Sequence, residues 1–113
     1  MQIVHKIDAQ EFQNSKACYA YEYILEEKEI NGAMVKLTGR YPDTGCVTNL
    51  KCKELAHVIS GSGKVVVEGK EVLLSEGDLV LILPKEKYFW EGNMVLFVSS
   101  TPSWTIEQHR KIP

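Results

Sequence analysis

From Ala17 onward the chain alternates apolar and polar residues in short runs, broken by turn-forming residues every eight to twelve positions. Side chains with a period of two belong on β-strands, so this pattern leaves little room for helices. The run 17–25, ACYAYEYIL, puts Tyr19, Tyr21 and Tyr23 on one face of a strand. Those three rings could line a cavity or pack between two subunits. The next run, AMVKLTGRY, sets Val35, Leu37 and Tyr41 against Lys36, Thr38 and Arg40 on the opposite face. ELAHVIS, KVVVEGKEVLL, LVLIL and MVLFVSST supply further strands, and Pro84 ends the third of these. Turns are expected at Asn31-Gly32, 42–45, Gly61-Ser62-Gly63, Glu68-Gly69, 75–78 and Gly92-Asn93. The one helix-start signal is Asp8 with Glu11 three residues later, which predicts a single turn through Gln13. The expectation is an all-β sandwich or barrel with at most one or two short helical turns.

At 113 residues the chain has the length of one domain, 1–113, with no repeat, linker or low-complexity segment. No apolar run approaches the length of a membrane helix, so no membrane partner is expected. A net charge of −2 with scattered Lys and Arg gives no electrostatic footprint for nucleic acid. The start, MQIVHKIDAQEF, lacks the pattern of a secretory signal, and a cytoplasmic location is expected. Cys18, Cys46 and Cys52 form no CxxC pair, which removes zinc-ribbon and thioredoxin-type motifs and favours cysteines as packing residues. No G-x-S-x-G elbow or phosphate loop is present.

The stretch from Gly45 to Gly92 resembles the two motifs of the cupin family. In the first, a glycine and a spacer lead to His-x-His, then Glu, then six residues and Gly. Here Glu54 and Gly61 are separated by the six residues LAHVIS, and Ser60-Gly61-Ser62-Gly63 looks like the family's interstrand turn. In the second, Gly77 opens the motif, Pro84 sits one place late and Lys85 stands where glycine is usual. Tyr88 takes the histidine position and Gly92-Asn93 falls where the asparagine belongs. The ending, Thr101-Pro102-Ser103-Trp104 with Glu107-Gln108-His109, also looks like the close of small single-domain cupins. The resemblance implies a cupin-type double-stranded β-helix, the jelly-roll barrel called RmlC-like, and a homodimer. Apolar residues on both faces of 55–59 and 79–83 agree with a second covered face.

This chain departs from the family at the metal. The paired histidine positions are Thr48 and Leu50, or Val47 and Asn49, according to spacing, and the later one is Tyr88. Of the four usual ligands only Glu54 remains, so no metal and no other cofactor is expected.

Glu54, if it faces the barrel, must be paired, hydrogen-bonded or protonated, and is then a candidate general acid or base; at the rim it would be a solvated carboxylate. Tyr88 is the second acid–base candidate. Trp90 shares its face and could form an aromatic floor, or the two rings could fill the vacant metal space. Asn49 and Cys52 complete the expected pocket; Cys52 is expected to pack rather than to act as a nucleophile. Arg40 could hold an anionic group or lie on a solvated face. His57 has the wrong parity to join Glu54, and His5 and His109 lie near opposite termini.

The reading is a metal-independent cupin whose pocket takes a small polar metabolite, with a carbohydrate or sugar acid first. Any reaction would be isomerase- or epimerase-type proton transfer, and whether the chain is an enzyme stays open. Two alternatives stand beside it. One is a metalloenzyme with a non-standard ligand set drawn from Glu54, Cys52, Tyr88 or a histidine. The other is a non-catalytic sensor or dimeric interaction module, which would have its barrel plugged by side chains.

Overall fold

The computed structural model describes all 113 residues. Nine strands and two 3₁₀ turns make up the regular structure, with no α-helix. In chain order the strands are β1 (Gln10–Ser15), β2 (Cys18–Tyr23), β3 (Asn31–Tyr41), β4 (Cys46–Asn49), β5 (Lys53–Val67), β6 (Lys70–Ser75), β7 (Leu79–Ile82), β8 (Tyr88–Thr101) and β9 (His109–Ile112). Pairing is antiparallel throughout. β8 is the spine. One edge pairs with β3 from Asn31 to Tyr41, and the other pairs with β5 from Lys53 to Val67. β2 and β1 extend the β3 side, β6 and β7 flank opposite ends of β5, and β4 with β9 joins near Tyr88.

Alternation decides which side chains enter the core. On β5, Glu54, Ala56 and Val58 are buried, while Leu55 and Ile59 are exposed. Further along the same strand the parity reverses, and Val65 is buried. A bulge accounts for the switch: Val58 pairs with Leu96 but Ser60 pairs with Val95, so one extra residue is accommodated on β5. One inserted residue exchanges the two faces of a strand.

Two expected turns prove to be strand interior. Gly61-Ser62-Gly63 lies inside β5 and Gly92-Asn93 inside β8. These glycines serve close approach rather than reversal. Gly92 pairs with Gly39 on one side and Gly63 on the other, forming a row of glycines across three strands. A Cβ on Gly92 would meet the Gly63 Cα at 2.5 Å, and its φ of 148° also favours glycine. The backbones therefore crease together along this row. Asn31-Gly32 is likewise not a turn but the start of β3; the chain reverses earlier, within 24–30. The expected helical turn from Asp8 is a 3₁₀ turn at Lys6–Asp8 without a side-chain cap. Gln10 to Gln13 then find strand partners on β2 instead. The Glu68-Gly69 hairpin turn does form, both residues having positive φ.

The core gathers Leu37, Val47, Val58, Val65, Ile82, Leu96 and their neighbours. The three tyrosines of β2 face outward, because Cys18, Ala20 and Glu22 occupy the inner parity. All three cysteines are free thiols. No helix is long and apolar enough to cross a membrane.

Gly92→Ala should lower stability by about 2–3 kcal/mol through backbone collision. Chemical denaturation measures this, and an unchanged midpoint would remove the crease as a constraint.

Candidate functional site

A cavity of about 100 Å³ opens between β2, β3 and β8, with Glu54 of β5 and the C-terminal segment completing it. Its walls are mostly apolar, and its polar groups gather around one carboxamide. Asn49, at the end of β4, is 2% exposed. Its Nδ2 donates to Glu54 Oε1 at 2.9 Å and to the Tyr88 hydroxyl at 3.2 Å. Its Oδ1 faces Trp104 Nε1 at 3.2 Å, Gln108 Nε2 at 3.0 Å and His109 Nδ1 at 2.7 Å.

These contacts determine protonation states. An indole N–H can only donate, so the Asn49 atom facing Trp104 must be the carbonyl oxygen. His109 Nδ1 must then carry a hydrogen to donate to that oxygen. Nε2 is left as the acceptor for the Tyr41 hydroxyl, 3.1 Å away. Burial, with Lys111 and Arg110 nearby, lowers the His109 pKa to about 4, in keeping with a neutral ring. Gln108 fixes the strand end from the other side, its Oε1 accepting from the Lys51 and Cys52 backbone N–H groups.

Glu54 is 9% exposed and pairs with no cation. Burial raises its pKa, while hydrogen bonds from Asn49 and Tyr88 oppose the shift. Burial likewise holds the Tyr88 phenol well above its usual range, with the Glu54 charge adding to the effect. Tyr41 is pushed up to about 12, chiefly by burial. Both phenols are therefore neutral.

The expected pocket residues separate into two sets. Asn49, Glu54 and Tyr88 share one hydrogen-bonded cluster, and Trp90 lines the cavity edge-on to Tyr88, ring centroids 6.4 Å apart. Cys52 and Arg40 lie outside. Cys52 sits just before β5 and is sealed in the core; burial raises its thiol to about 11. Arg40 has the opposite parity to Tyr41. Its guanidinium donates to the Pro42 and Gly45 carbonyls at 2.6 and 2.9 Å and stacks 3.8 Å from the Phe89 ring. Glu22, Tyr41, Trp104, Gln108 and His109 join the site unexpectedly. Alternation with Leu37 and with the tyrosines of β2 is the signal for Tyr41 and Glu22, and the closing segments 101–104 and 107–109 are the signal for the others.

The donor set does not fit a metal ion. Both His109 nitrogens are engaged in hydrogen bonds, and Asn49 turns N–H groups toward Glu54. No three His, Cys, Asp or Glu side chains converge anywhere. His57 is on the outer parity of β5, and His5 is exposed beside the first 3₁₀ turn. Lys85, at the family's glycine position, keeps glycine-like geometry with φ of 71°, and its backbone N–H donates to the Asn49 backbone carbonyl at 2.6 Å.

A family model for EutQ-like cupin domains matches residues 44–106. The chain belongs to the cupin family. No curated protein matches this cupin in sequence. Among solved structures, it is similar to a histidine-to-glutamine variant of Streptomyces PAC13 with uridine. That match has a TM-score of 0.87 at 16% identity, over 96% of this chain and 88% of that one. PAC13 is described as a nucleoside dehydratase. KdgF from Halomonas sp. matches with TM-score 0.71 and 14% identity, over 91% of this chain and 96% of its own. Ectoine synthase from P. lautus matches with TM-score 0.77 and 14% identity, over 100% and 91%. At such identities the likeness is one of fold.

The raised Glu54 pKa has a stability consequence. A carboxyl whose folded pKa exceeds its unfolded value contributes stability at low pH that is lost as pH rises through the folded value. Glu54→Gln should therefore gain stability relative to the native chain as pH is raised from 4 to 8. Denaturant midpoints across that range check it, and the reverse trend would mean that the carboxylate is held as an anion.

Proposed function

We propose that this cupin binds a small polar metabolite in its cavity without a metal and moves a proton on it through Glu54. The observation that carries the proposal is Glu54 itself. It is a buried carboxyl beside an open cavity, oriented by Asn49 and unpaired with any cation. Such a group holds its proton closer to neutral pH than an exposed glutamate, which suits acid–base work. A barrel serving only as an interaction module would be expected to fill this space with side chains.

Carbohydrates and nucleosides are the first ligand classes to test. The aromatic rings of Tyr41, Trp90 and Trp104 suit flat or ring-shaped ligands, and the uridine bound by PAC13 supports including nucleosides. Glu54 would take a proton from a carbon acidified by a neighbouring carbonyl and return it to the same or the adjacent carbon. That is isomerisation or epimerisation, with no net proton change. Tyr88 stands beside it as a neutral hydroxyl.

The test is solvent exchange. Candidate sugars and nucleosides are incubated in D₂O and followed by NMR. Glu54→Gln should slow deuterium incorporation by about 10²–10⁴-fold, while the ligand still raises the melting temperature. Equal exchange by both proteins would remove Glu54 from the chemistry.

A homodimer belongs to the same proposal. Leu55 of β5, Leu79 and Leu81 of β7 and Phe97 of β8 lie exposed on neighbouring positions of the outer face. Contiguous apolar surface of this kind favours a protein partner. Sedimentation should give a dimer for the native chain and a monomer for Leu79→Glu/Leu81→Glu with unchanged circular dichroism; a native monomer would refute it.

A further inference from the structure

We infer that the cavity takes a ligand with no negative charge, either uncharged or bearing an amine. Within the classes above this means nucleosides rather than nucleotides, and free or amino sugars rather than sugar phosphates or sugar acids. The inference rests on the cavity being the ligand site, but not on Glu54 moving a proton.

None of the cavity's 17 lining residues is Lys or Arg, while two are glutamates, Glu54 and Glu22. The ion pairs of the chain lie elsewhere, joining Lys64 to Glu71 and Glu91, so neither cavity carboxyl is neutralised by a protein cation. Glu22 is half-buried on β2, and burial raises its pKa as well. His109 adds no positive charge, since Nδ1 donates to Asn49 and Nε2 faces the Tyr41 hydroxyl. The chain's two guanidiniums are both spent on backbone carbonyls, Arg40 on those of Pro42 and Gly45 while stacked on the Phe89 ring, and Arg110 on those of Glu107 and His109.

A phosphate or carboxylate entering this space would leave water without gaining a cation, and would face one or two like charges. If Glu54 is protonated the repulsion is smaller, yet nothing becomes attractive. An ammonium group meets the opposite situation. It finds two carboxyls and the rings of Tyr41, Tyr88, Trp90 and Trp104, which accept a cation on their faces. An uncharged ring with hydroxyls loses nothing to either term. Sugar acids, named as candidates from the sequence, are accordingly disfavoured.

The chain has two tryptophans, Trp90 and Trp104, and both line the cavity, so intrinsic fluorescence reads it directly. Quenching by caesium, iodide and neutral acrylamide is measured at pH 8 and constant ionic strength, each normalised to free N-acetyltryptophanamide. Caesium should quench at least about threefold more efficiently than iodide, and Glu22→Gln should narrow the gap. Iodide equal to or stronger than caesium would overturn the inference, as would a gap unmoved by both Glu22→Gln and Glu54→Gln. So would a larger thermal shift from uridine monophosphate than from uridine. Exchange chemistry that ignores Glu54→Gln would sink the proton-transfer reading alone and leave the quenching result standing.

Discussion

The two edges of β8 organise this protein. Backbone hydrogen bonding to β3 on one side and β5 on the other sets the register of most residues that face the cavity. Tyr88, Trp90, Leu96, Val98 and Ser100 enter the interior from β8 itself. Glu54 arrives opposite Ser100, and Tyr41 opposite Trp90. A slip of one residue along either edge would turn the strand's inner set to solvent. The glycine row and the β5 bulge allow such long strands to bend and change faces without losing that register.

Within the frame, the chemistry is set by how an apolar interior treats charge. Burial raises the proton affinity of Glu54 and of both cavity phenols, and lowers that of His109. Each shift favours the neutral form. Asn49 moderates this for Glu54 by donating to it, and it can do so because three donors hold its carbonyl on the other side. The site is therefore one of neutral hydrogen-bonding groups around a carboxyl whose charge is costly, unlike the charge-rich centre a bound metal would demand.

Much of this was readable along the chain, and the failures have a common cause. Alternation located the strands, and cupin-like spacing brought Asn49, Glu54 and Tyr88 into one neighbourhood. Gly61 to Gly63 and Gly92 resemble turns in sequence because a glycine looks the same locally whether it reverses the chain or admits another backbone. Only the pairing of Gly39, Gly92 and Gly63 across three strands separates the two. Arg40 is similar: alternation sets it opposite Tyr41, but its own segment does not show that this face turns away from the cavity. His109 and Gln108 escaped because nothing within their own segment shows that they reach Asn49.

That separation along the chain bears on how the site comes to exist. Glu54 is only five residues from its amide partner, so the two are near each other in any compact state. The donors that orient the amide lie 55, 59 and 60 residues downstream. Bringing them in closes a long loop and carries the entropic cost of doing so. A partly folded barrel thus holds the carboxyl beside an amide free to swivel. Local opening of β9 from β4 would withdraw His109 alone, leaving Trp104 and Gln108 to hold the amide. The alignment of the carboxyl thus depends on a closure as long in sequence as the pairing of β3 with β8.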